Sequence, residues 1–212
     1  MLDFDANIIF RIPALLLALT VHEYAHAAVA DSMGDPTPRL MGRLTMNPLK
    51  HLDPIGTVML LFAGFGWAKP VEVNPSYFRN GRKSMMAVSF AGPGSNFLLA
   101  FIAVFLTATF DTLGYTKSGI YTFLFWVQIY NVWFALFNLL PIPPLDGSKI
   151  LVGILPGRYA YEFLKIGQYS FLILIVLVST GITGKILMPL AGIIQNSMNF
   201  IIITLFTLLG LF

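Results

Sequence analysis

One short stretch of the chain combines the residue types that hydrolyse peptide bonds with the help of a bound metal. His22-Glu23-Tyr24-Ala25-His26 follows the pattern H-E-x-x-H inside an apolar segment that is predicted to be helical. Two histidines four residues apart lie on one face of a helix, so both imidazoles can reach a single ion. Glu23 lies beside that face, where it can take a proton from a water molecule. The pattern therefore predicts a zinc site with Glu23 as its general base.

The same three side chains could instead be hydrogen-bonding groups between helices. They lie in the second half of the apolar segment 7–33. Ionisable groups at membrane depth are costly, and they usually face a cavity or a neighbouring helix. Burying three of them without an ion or a complete hydrogen-bond network is expensive, which favours the metal site over this alternative.

A catalytic zinc ion usually has three protein ligands and one open position, so a third ligand must come from elsewhere. Elimination favours Asp146, which follows a predicted membrane helix in the run NLLPIPPLDG, residues 138–147. Successive prolines break that helix, and irregular backbone at membrane depth is tolerated where it lines a cavity. The alternative is a proline turn in which Asp146 caps the next helix. The remaining histidine, His51, is more simply explained as a loop residue.

The composition places these groups in a membrane protein. Of the 212 residues, 57% are hydrophobic and 11% are charged. An average soluble domain has about 45–50% apolar and about 25% charged residues. This balance excludes a water-soluble globule, a disordered chain and a nucleic-acid-binding domain, and the absence of cysteine excludes a disulfide scaffold. The lipid bilayer is therefore a predicted partner, and nucleic acid is not.

Long apolar segments predict membrane helices at about residues 7–33, 84–110, 120–140, 169–184 and 187–210. The thirteen residues 55–67 are short for a span and predict a re-entrant segment. Alternation around Leu40, Leu44 and Met46 predicts a short strand near the membrane surface. The expected fold is an all-α polytopic membrane protein of about five or six membrane helices. A short membrane-associated β-element or re-entrant segment would lie between its first two long helices, and residues 1–212 would form one domain.

The basic residues predict how the chain is oriented in the membrane. Of the thirteen lysines and arginines, three lie in 35–54, four in 68–83 and three in 141–168. If 55–67 does not cross the membrane, these ten share one side, which the positive-inside rule assigns to the cytoplasm. The amino terminus would then be outside, and the site would face the cytoplasmic side of a prokaryotic cell (inner) membrane.

Taken together, the motifs resemble those of the site-2 proteases, which are intramembrane zinc metalloproteases. The matching runs are HEYAH at 22–26, GPGSN at 92–96 and NLLPIPPLDG at 138–147, in that order and in membrane segments. NPLKHLDPIGT at 47–57 and WAKPVEVNP at 67–75 also resemble the small prokaryotic members that lack PDZ and CBS domains.

The resemblance implies a metal, an activity and a substrate class. His22, His26 and Asp146 would bind one zinc ion per chain, and Glu23 would activate the water. The activity would be regulated intramembrane proteolysis, the hydrolysis of peptide bonds within or near transmembrane helices of membrane-protein substrates. The alternative is a metal-binding membrane protein without proteolysis, either a divalent-ion transporter or an inactive homologue.

Two asparagines complete the implied site. Asn96 matches the family's GxxxN pattern, counted from Gly92, and would stabilise the oxyanion or hold substrate backbone. An amide at membrane depth suits an oxyanion, but it also suits a hydrogen bond between helices, and both interpretations stay open. Asn138 opens the aspartate motif and would steady a strand-like substrate. Family members often have Asn-Pro there, whereas this chain has Asn138-Leu139.

A transmembrane substrate presents an additional requirement, because a helix uses its own carbonyl groups in internal hydrogen bonds. The substrate helix must therefore unwind locally before cleavage. We expect the unwound segment to add as an extended strand at residues 40–46 or 67–75.

Overall fold

The chain is helical throughout most of the part that the structure describes. The computed structural model describes residues 7–56 and 68–211. Its main α-helices are α1 (Ile8–Ser32), α2 (Thr37–Leu40), α3 (Gly81–Thr112), α4 (Gly119–Asn138), α5 (Asp146–Ile154), α6 (Gly157–Lys165), α7 (Ser170–Ser179) and α8 (Ile182–Leu208). Short 3₁₀ helices occupy Pro48–Lys50, Pro75–Tyr77 and Ile166–Tyr169. The prediction of an all-α fold is confirmed for these residues.

Within residues 7–56 and 68–211, five helical stretches are long and apolar enough to cross a membrane: Ile8–Ser32, Gly81–Thr112, Gly119–Asn138, Gly157–Ser179 and Ile182–Leu208. They agree with the predicted polytopic membrane protein. The fourth stretch begins at Gly157 rather than near residue 169, because α6, a 3₁₀ turn and α7 follow one another without a break. The polar, tyrosine-rich first part of this stretch concealed its helical character in the sequence.

The strand predicted around Leu40, Leu44 and Met46 is wrong. Leu40 ends the short helix α2, and Gly42 turns the chain with a φ of 66°, a left-handed value that favours glycine. Leu40 is 80% exposed and Met46 is 50% exposed. Their spacing therefore did not mark the buried face of a sheet.

The β-element is reduced to a single pairing in the part of the chain that the structure describes. Residues 7–56 and 68–211 contain no strand, and Leu52 and Ala68 form one isolated antiparallel bridge. The re-entrant segment predicted for 55–67 falls almost entirely outside the described residues.

The chain divides into two compact units. Unit 1 consists of Met1–Ala18, Asn96–Phe137 and Leu172–Phe212, and unit 2 consists of Leu19–Ser95 and Asn138–Phe171. Helices α1, α3 and α4 each have residues in both units. The prediction of one domain over 1–212 stays a prediction.

Two apolar clusters pack unit 1. The first contains Ala14, Ala103 and Val127, and the second contains Val104, Ala108, Ile202 and Phe206. Alanine lets helix backbones approach closely, which matters in a membrane because lipid tails are as apolar as leucine. Close packing, rather than the exclusion of water, therefore holds these helices together.

Unit 2 contains the contact that positions the H-E-x-x-H motif. One buried cluster contains Ala30 of α1, Val88 of α3, and Phe78, which precedes α3. Met33 and Met85 pack against this cluster. This cluster lies about one turn beyond the motif on α1. It therefore holds the motif face of α1 against the first half of α3.

Candidate metal centre

Helix α1 buries the three ionisable residues of the motif together. His22, Glu23 and His26 all lie in its second half, and all three side chains are buried. The two imidazole rings are perpendicular, with 4.5 Å between their centres. Their Nε2 atoms are 3.0 Å apart. The shared face that the four-residue spacing predicted is present.

Asp146 reaches the same point from a distant part of the chain. It is the first residue of α5 and follows the proline-rich turn. Its Oδ2 atom lies 3.1 Å from His22 Nε2 and 3.0 Å from His26 Nε2. The structure thus brings together the two imidazoles and the carboxylate that elimination had favoured. Asp146 does lie at the start of a helix, as the capping alternative expected, but its side chain makes no capping hydrogen bond to the described residues there.

The donor set fits a zinc ion. His26 Nδ1–H donates to the carbonyl oxygen of Val88 at 2.7 Å, so Nε2 is the nitrogen that can offer a lone pair. Two imidazole nitrogens and a carboxylate oxygen at 3.0–3.1 Å repel one another unless protons or a cation lie between them. Ligands about 2.0–2.1 Å from a tetrahedral zinc ion lie about 3.3 Å from each other, close to these separations.

The carboxylate is held in its ionised form. Burial alone would raise the pKa of the Asp146 carboxyl, but hydrogen bonds that His22 and His26 donate when their Nε2 atoms carry protons, together with the charge of Lys149, hold that pKa well below its usual range. Lys149 Nζ lies 3.3 Å from Asp146 Oδ1, one helical turn along α5. One carboxylate oxygen therefore faces the imidazoles while the other is held by a lysine.

Gly92 gives α3 the close approach to the imidazoles that the site needs. A Cβ atom at this position would lie 2.5 Å from His26 Nε2 and 2.6 Å from His22 Cε1. No side chain other than hydrogen can therefore occupy residue 92 unless the histidines move. Val88, one turn earlier on α3, supplies the carbonyl that orients His26.

Two further contacts place Asp146. A Cβ atom on Gly147 would collide with the carbonyl oxygens of Leu139 and Leu140, so glycine lets the proline-rich turn fold tightly onto the start of α5. At the other end of α5, the Arg82 guanidinium donates to the carbonyl oxygens of Val152 and Leu155. These hydrogen bonds satisfy helix-end carbonyls, and they tie α5 to the start of α3.

Glu23 is oriented by a backbone group. The Val71 N–H donates to Glu23 Oε2 at 2.9 Å. The preceding residues are fixed by Arg43, a buried side chain whose guanidinium donates to the carbonyl oxygens of Lys69 and Pro70. One carboxylate oxygen of Glu23 is thus held, and the other is the oxygen that can accept a proton from water.

A cavity of about 220 Å³ opens onto these groups. Its lining includes the three motif residues and Asp146, together with polar side chains from Ser89, Asn138 and Lys149 and apolar ones from Pro70, Val71, Val73, Met85, Val88, Pro144 and Leu145. The predicted substrate-binding residue Asn138 therefore lies at the cavity. The polar groups converge from α1, α3, α5 and the segment after Ala68.

The sequence also matches a family profile. The profile for peptidase family M50 matches residues 10–115 and 113–179, which together cover most of the chain. This chain belongs to peptidase family M50. Membership confirms the resemblance to the site-2 proteases and the prediction of a metalloprotease in a membrane setting.

Relatives of this M50 peptidase are similar over most of its length. It is 39% identical over 194 residues to the "Putative zinc metalloprotease YwhC" of Bacillus subtilis (strain 168), across 89% of this chain and 88% of that one. It is 33% identical over 186 residues to the "Putative zinc metalloprotease Rip2" of Mycolicibacterium smegmatis, across 84% and 70%. It is 24% identical over 196 residues to the "Zinc metalloprotease MJ0392" of Methanocaldococcus jannaschii, across 92% and 46%. No solved structure gives a significant match.

These names agree with the predicted cofactor. The relatives are named as zinc metalloproteases, and the M50 peptidase described here has two imidazoles and a carboxylate whose ligand atoms all lie within 4.8 Å of one another. This donor set is one that catalytic zinc sites use.

The predicted oxyanion residue, Asn96, belongs to a hydrogen-bond group in unit 1. Its side-chain amide donates to the carbonyl oxygen of Ala18 at 2.9 Å and to Asn131 Oδ1 at 2.7 Å, and the residue is fully buried. Both amide hydrogens therefore have acceptors on neighbouring helices. This arrangement matches the helix-contact interpretation of Asn96, and its oxyanion role stays a prediction.

His51 has the loop role that was favoured for it. Its Nε2–H donates to the carbonyl oxygen of Thr45 at 2.8 Å, and its backbone carbonyl accepts from Lys69 N–H at 2.9 Å. The imidazole is buried, and its hydrogen bond to Thr45 joins two parts of the loop that follows α2. These contacts give His51 a structural reason to be histidine.

Sequence reasoning missed several residues that shape the site. Gly92 had a signal, since a Gly-Pro pair inside a membrane helix suggests close approach or a cavity. Lys149 also had one, because it stands one helical turn after Asp146. The contacts of Arg43 and Val71 left no signal, since each joins a side chain to a backbone group far away in the chain.

Proposed function

We propose that this M50 peptidase is an intramembrane zinc endopeptidase that cleaves membrane-protein substrates within or near their transmembrane helices. The observation that carries the proposal is the meeting of His22 Nε2, His26 Nε2 and Asp146 Oδ2 within 3.1 Å, beside a buried glutamate. Two of the three ligands and the glutamate lie in a helix that is apolar enough to cross a membrane.

The ligand atoms and the base have distinct tasks. His22, His26 and Asp146 would hold one zinc ion, which supplies Lewis-acid polarisation of the scissile carbonyl. Glu23 takes a proton from the attacking water and returns it to the leaving amine. The Val71 N–H keeps Oε2 of Glu23 in place, so the carboxylate does not have to find its orientation during the reaction.

The substrate is proposed to enter as an extended segment at the cavity. Strand addition at 40–46 is not proposed again, because the described residues form a helix end and a turn there. The segment 68–74 remains the proposed docking edge, since Pro70, Val71 and Val73 line the cavity. Asn138 lines it as well and is proposed to hold substrate backbone. A substrate with helix-breaking residues would unwind at lower cost.

The orientation is also a proposal. If residues 55–67 do not cross the membrane, the positive-inside rule puts the polar segments around 35–54, 68–83 and 141–156 together in the cytoplasm. The site would then open toward the cytoplasmic side of a prokaryotic cell membrane. Protease accessibility of a tag inserted beside Arg82 tests this: accessibility from outside the cell contradicts it.

One comparison separates proteolysis from mere metal binding. Zinc-loaded wild-type protein and a Glu23→Gln variant are incubated in detergent with the same extract of membrane proteins, and new peptide termini are identified by mass spectrometry. We expect termini within or near transmembrane segments with the wild type alone, lost on adding a zinc chelator and restored by zinc. Identical termini in both reactions would contradict the proposed cleavage.

A further inference from the structure

Ser89 is the one hydroxyl-bearing side chain among the residues that line the described site cavity. It lies on α3, immediately after Val88, whose carbonyl orients His26. It also lies one turn before Gly92, which faces both imidazoles. Ser89 is only 1% exposed. Ser89 therefore lies between two positions of α3 that contact the metal-binding histidines, and it is one of the residues that line the cavity.

The hydroxyl of Ser89 has no hydrogen-bond partner among the described residues. Serine and threonine in helices usually donate to a carbonyl three or four residues earlier. The other hydroxyls later on α3 do so: Ser95 donates to Gly92 O, Thr107 to Ala103 O and Val104 O, Thr109 to Phe105 O, and Thr112 to Thr109 O. Ser89 therefore differs from the later hydroxyls of its own helix, and a buried hydroxyl without a partner is destabilising.

Pro93 adds a second polar group at the same place. Proline has no N–H, so it cannot donate to the carbonyl oxygen of Ser89 four residues earlier. The usual intrahelical partner of that carbonyl is missing by chemistry. Backbone groups left without a helical partner at membrane depth are tolerated where they line a cavity. Both polar groups of Ser89 thus lie at a break in the helix pattern beside the metal-binding residues.

Asn96, which the sequence predicted as the oxyanion donor, already has hydrogen-bond acceptors. Both amide hydrogens of Asn96 are donated, to Ala18 O and to Asn131 Oδ1. Recruiting Asn96 would break a hydrogen bond between buried groups. Recruiting Ser89 would break none among the described residues, and it would satisfy a hydroxyl that otherwise lacks a partner.

We infer that Ser89 is a catalytic residue whose hydroxyl donates a hydrogen bond to the oxygen of the scissile carbonyl as negative charge develops there. The inference rests on the proposed protease function. No covalent bond to Ser89 forms and no proton leaves it, since Glu23 carries the proton from water to the leaving amine. The hydroxyl would act beside the zinc ion that His22, His26 and Asp146 would hold.

Kinetics of three variants test the hydroxyl. Ser89→Ala should lower kcat by about 100-fold, the cost of one oxyanion donor, with KM and zinc content unchanged. Ser89→Thr, which keeps a hydroxyl, should recover at least tenfold of that loss. Thr109→Val removes a hydroxyl that bonds to its own helix and should cleave at the wild-type rate.

Two measurements do not depend on turnover. A peptide phosphonamidate, which mimics the charged tetrahedral geometry, should bind zinc-loaded Ser89→Ala about 100-fold more weakly than wild type, whereas an unreactive substrate peptide should bind both equally. The thermal unfolding midpoint of Ser89→Ala should equal or exceed that of the wild type, because alanine removes a buried hydroxyl that lacks a partner.

The outcomes separate this inference from the proposed function. Wild-type cleavage with an undiminished rate in Ser89→Ala overturns the role of Ser89 and leaves the protease standing. Loss of zinc from Ser89→Ala, or equal slowing in Ser89→Thr with full zinc content, also overturns it. If zinc-loaded wild type does not cleave, the proposed function fails. In that case, phosphonamidate binding still tests the role of Ser89. Equal affinity of wild type and Ser89→Ala for the phosphonamidate overturns the inference.

Discussion

Two buried polar groups in this protein are satisfied in different ways. In unit 2, His22 Nε2, His26 Nε2 and Asp146 Oδ2 lie 3.0–3.1 Å apart, and each can offer a lone pair. His26 has already donated its Nδ1–H to Val88 O. Three lone pairs can therefore point to one centre, where a single divalent cation would accept all of them.

In unit 1, the asparagine pair balances donors with acceptors. Asn96 donates to Asn131 Oδ1 and to the carbonyl of Ala18, and Asn131 donates to the carbonyl of Val127 at 2.8 Å. Every one of these contacts joins a donor to an acceptor, and the pair links helices without any ion. Polar residues at membrane depth are therefore not a site by themselves. An excess of lone pairs over hydrogens distinguishes the metal centre from the helix contact.

The largest effect should come from changing the base beside the first group. Glu23→Gln keeps the shape and an oxygen that can accept from Val71 N–H, but it cannot take a proton. We expect kcat for peptide cleavage to fall by about 10³-fold or more while zinc content stays at one ion per chain. Robust turnover by the variant in detergent, checked against wild type from the same preparation, would remove Glu23 from its role.

Removing the carboxylate should weaken the metal centre directly. Asp146→Asn leaves two imidazoles and a neutral amide, so we expect zinc affinity to fall by about 100-fold in competition with a chromophoric chelator. Asp111→Asn, at the exposed end of α3, is the matched control and should bind zinc as the wild type does. Undiminished affinity in Asp146→Asn would show that Asp146 is not the third ligand.

A smaller effect should follow from crowding the imidazoles. Gly92→Ala places a methyl group 2.5 Å from His26 Nε2, so one ring must move from its ligand position. We expect a loss of about 10- to 100-fold in zinc affinity. Gly192→Ala is the control, because that helical glycine has nothing within 4 Å of an added Cβ. Equal zinc affinities in the two variants would show that the rings relax freely.

The lysine that holds the second carboxylate oxygen should matter less. Lys149→Met removes the contact with Asp146 Oδ1, and outer partners of this kind typically contribute about 10-fold or more to metal affinity. Lys165→Met removes a comparable lysine, paired with Glu162 on the exposed side of α6, and should leave zinc affinity unchanged. A Lys149→Met protein with wild-type affinity would show that α5 alone orients the carboxylate.

The smallest effect should be in the asparagine pair. Asn131→Ala leaves an amide hydrogen of Asn96 without its acceptor, and we expect the free energy of unfolding in detergent to fall by about 1 kcal/mol. Zinc affinity should not change, because the pair contributes packing rather than ligands. A loss of zinc in Asn131→Ala would contradict the division between the two polar groups.

Local spacing was sufficient to predict that the two imidazoles of the proposed metal centre share one helix face. His22, Glu23 and His26 share a helix, and helical geometry places residues four apart on one face whatever else the chain does. The helical character of the described residues, and five candidate spans among them, were likewise readable, because a bilayer requires long apolar helices. Where the spacing was irregular, as at Leu40, Leu44 and Met46, the same kind of reasoning produced a strand that does not exist.

The position of Asp146 depends on long-range packing, which short-range sequence patterns do not predict. Asp146 could be nominated by elimination, but its contacts cross 120 and 124 residues of chain and depend on α5 meeting α1. In the sequence, Ser89 cannot be told apart from any other serine of a membrane helix. Only the structure shows that its hydroxyl lacks a hydrogen-bond partner among the described residues and that the residue lines the cavity. Residue types and helical periods follow from the order of amino acids, whereas which lone pairs face each other follows from how whole helices pack, a global balance of close fit and hydrogen bonding.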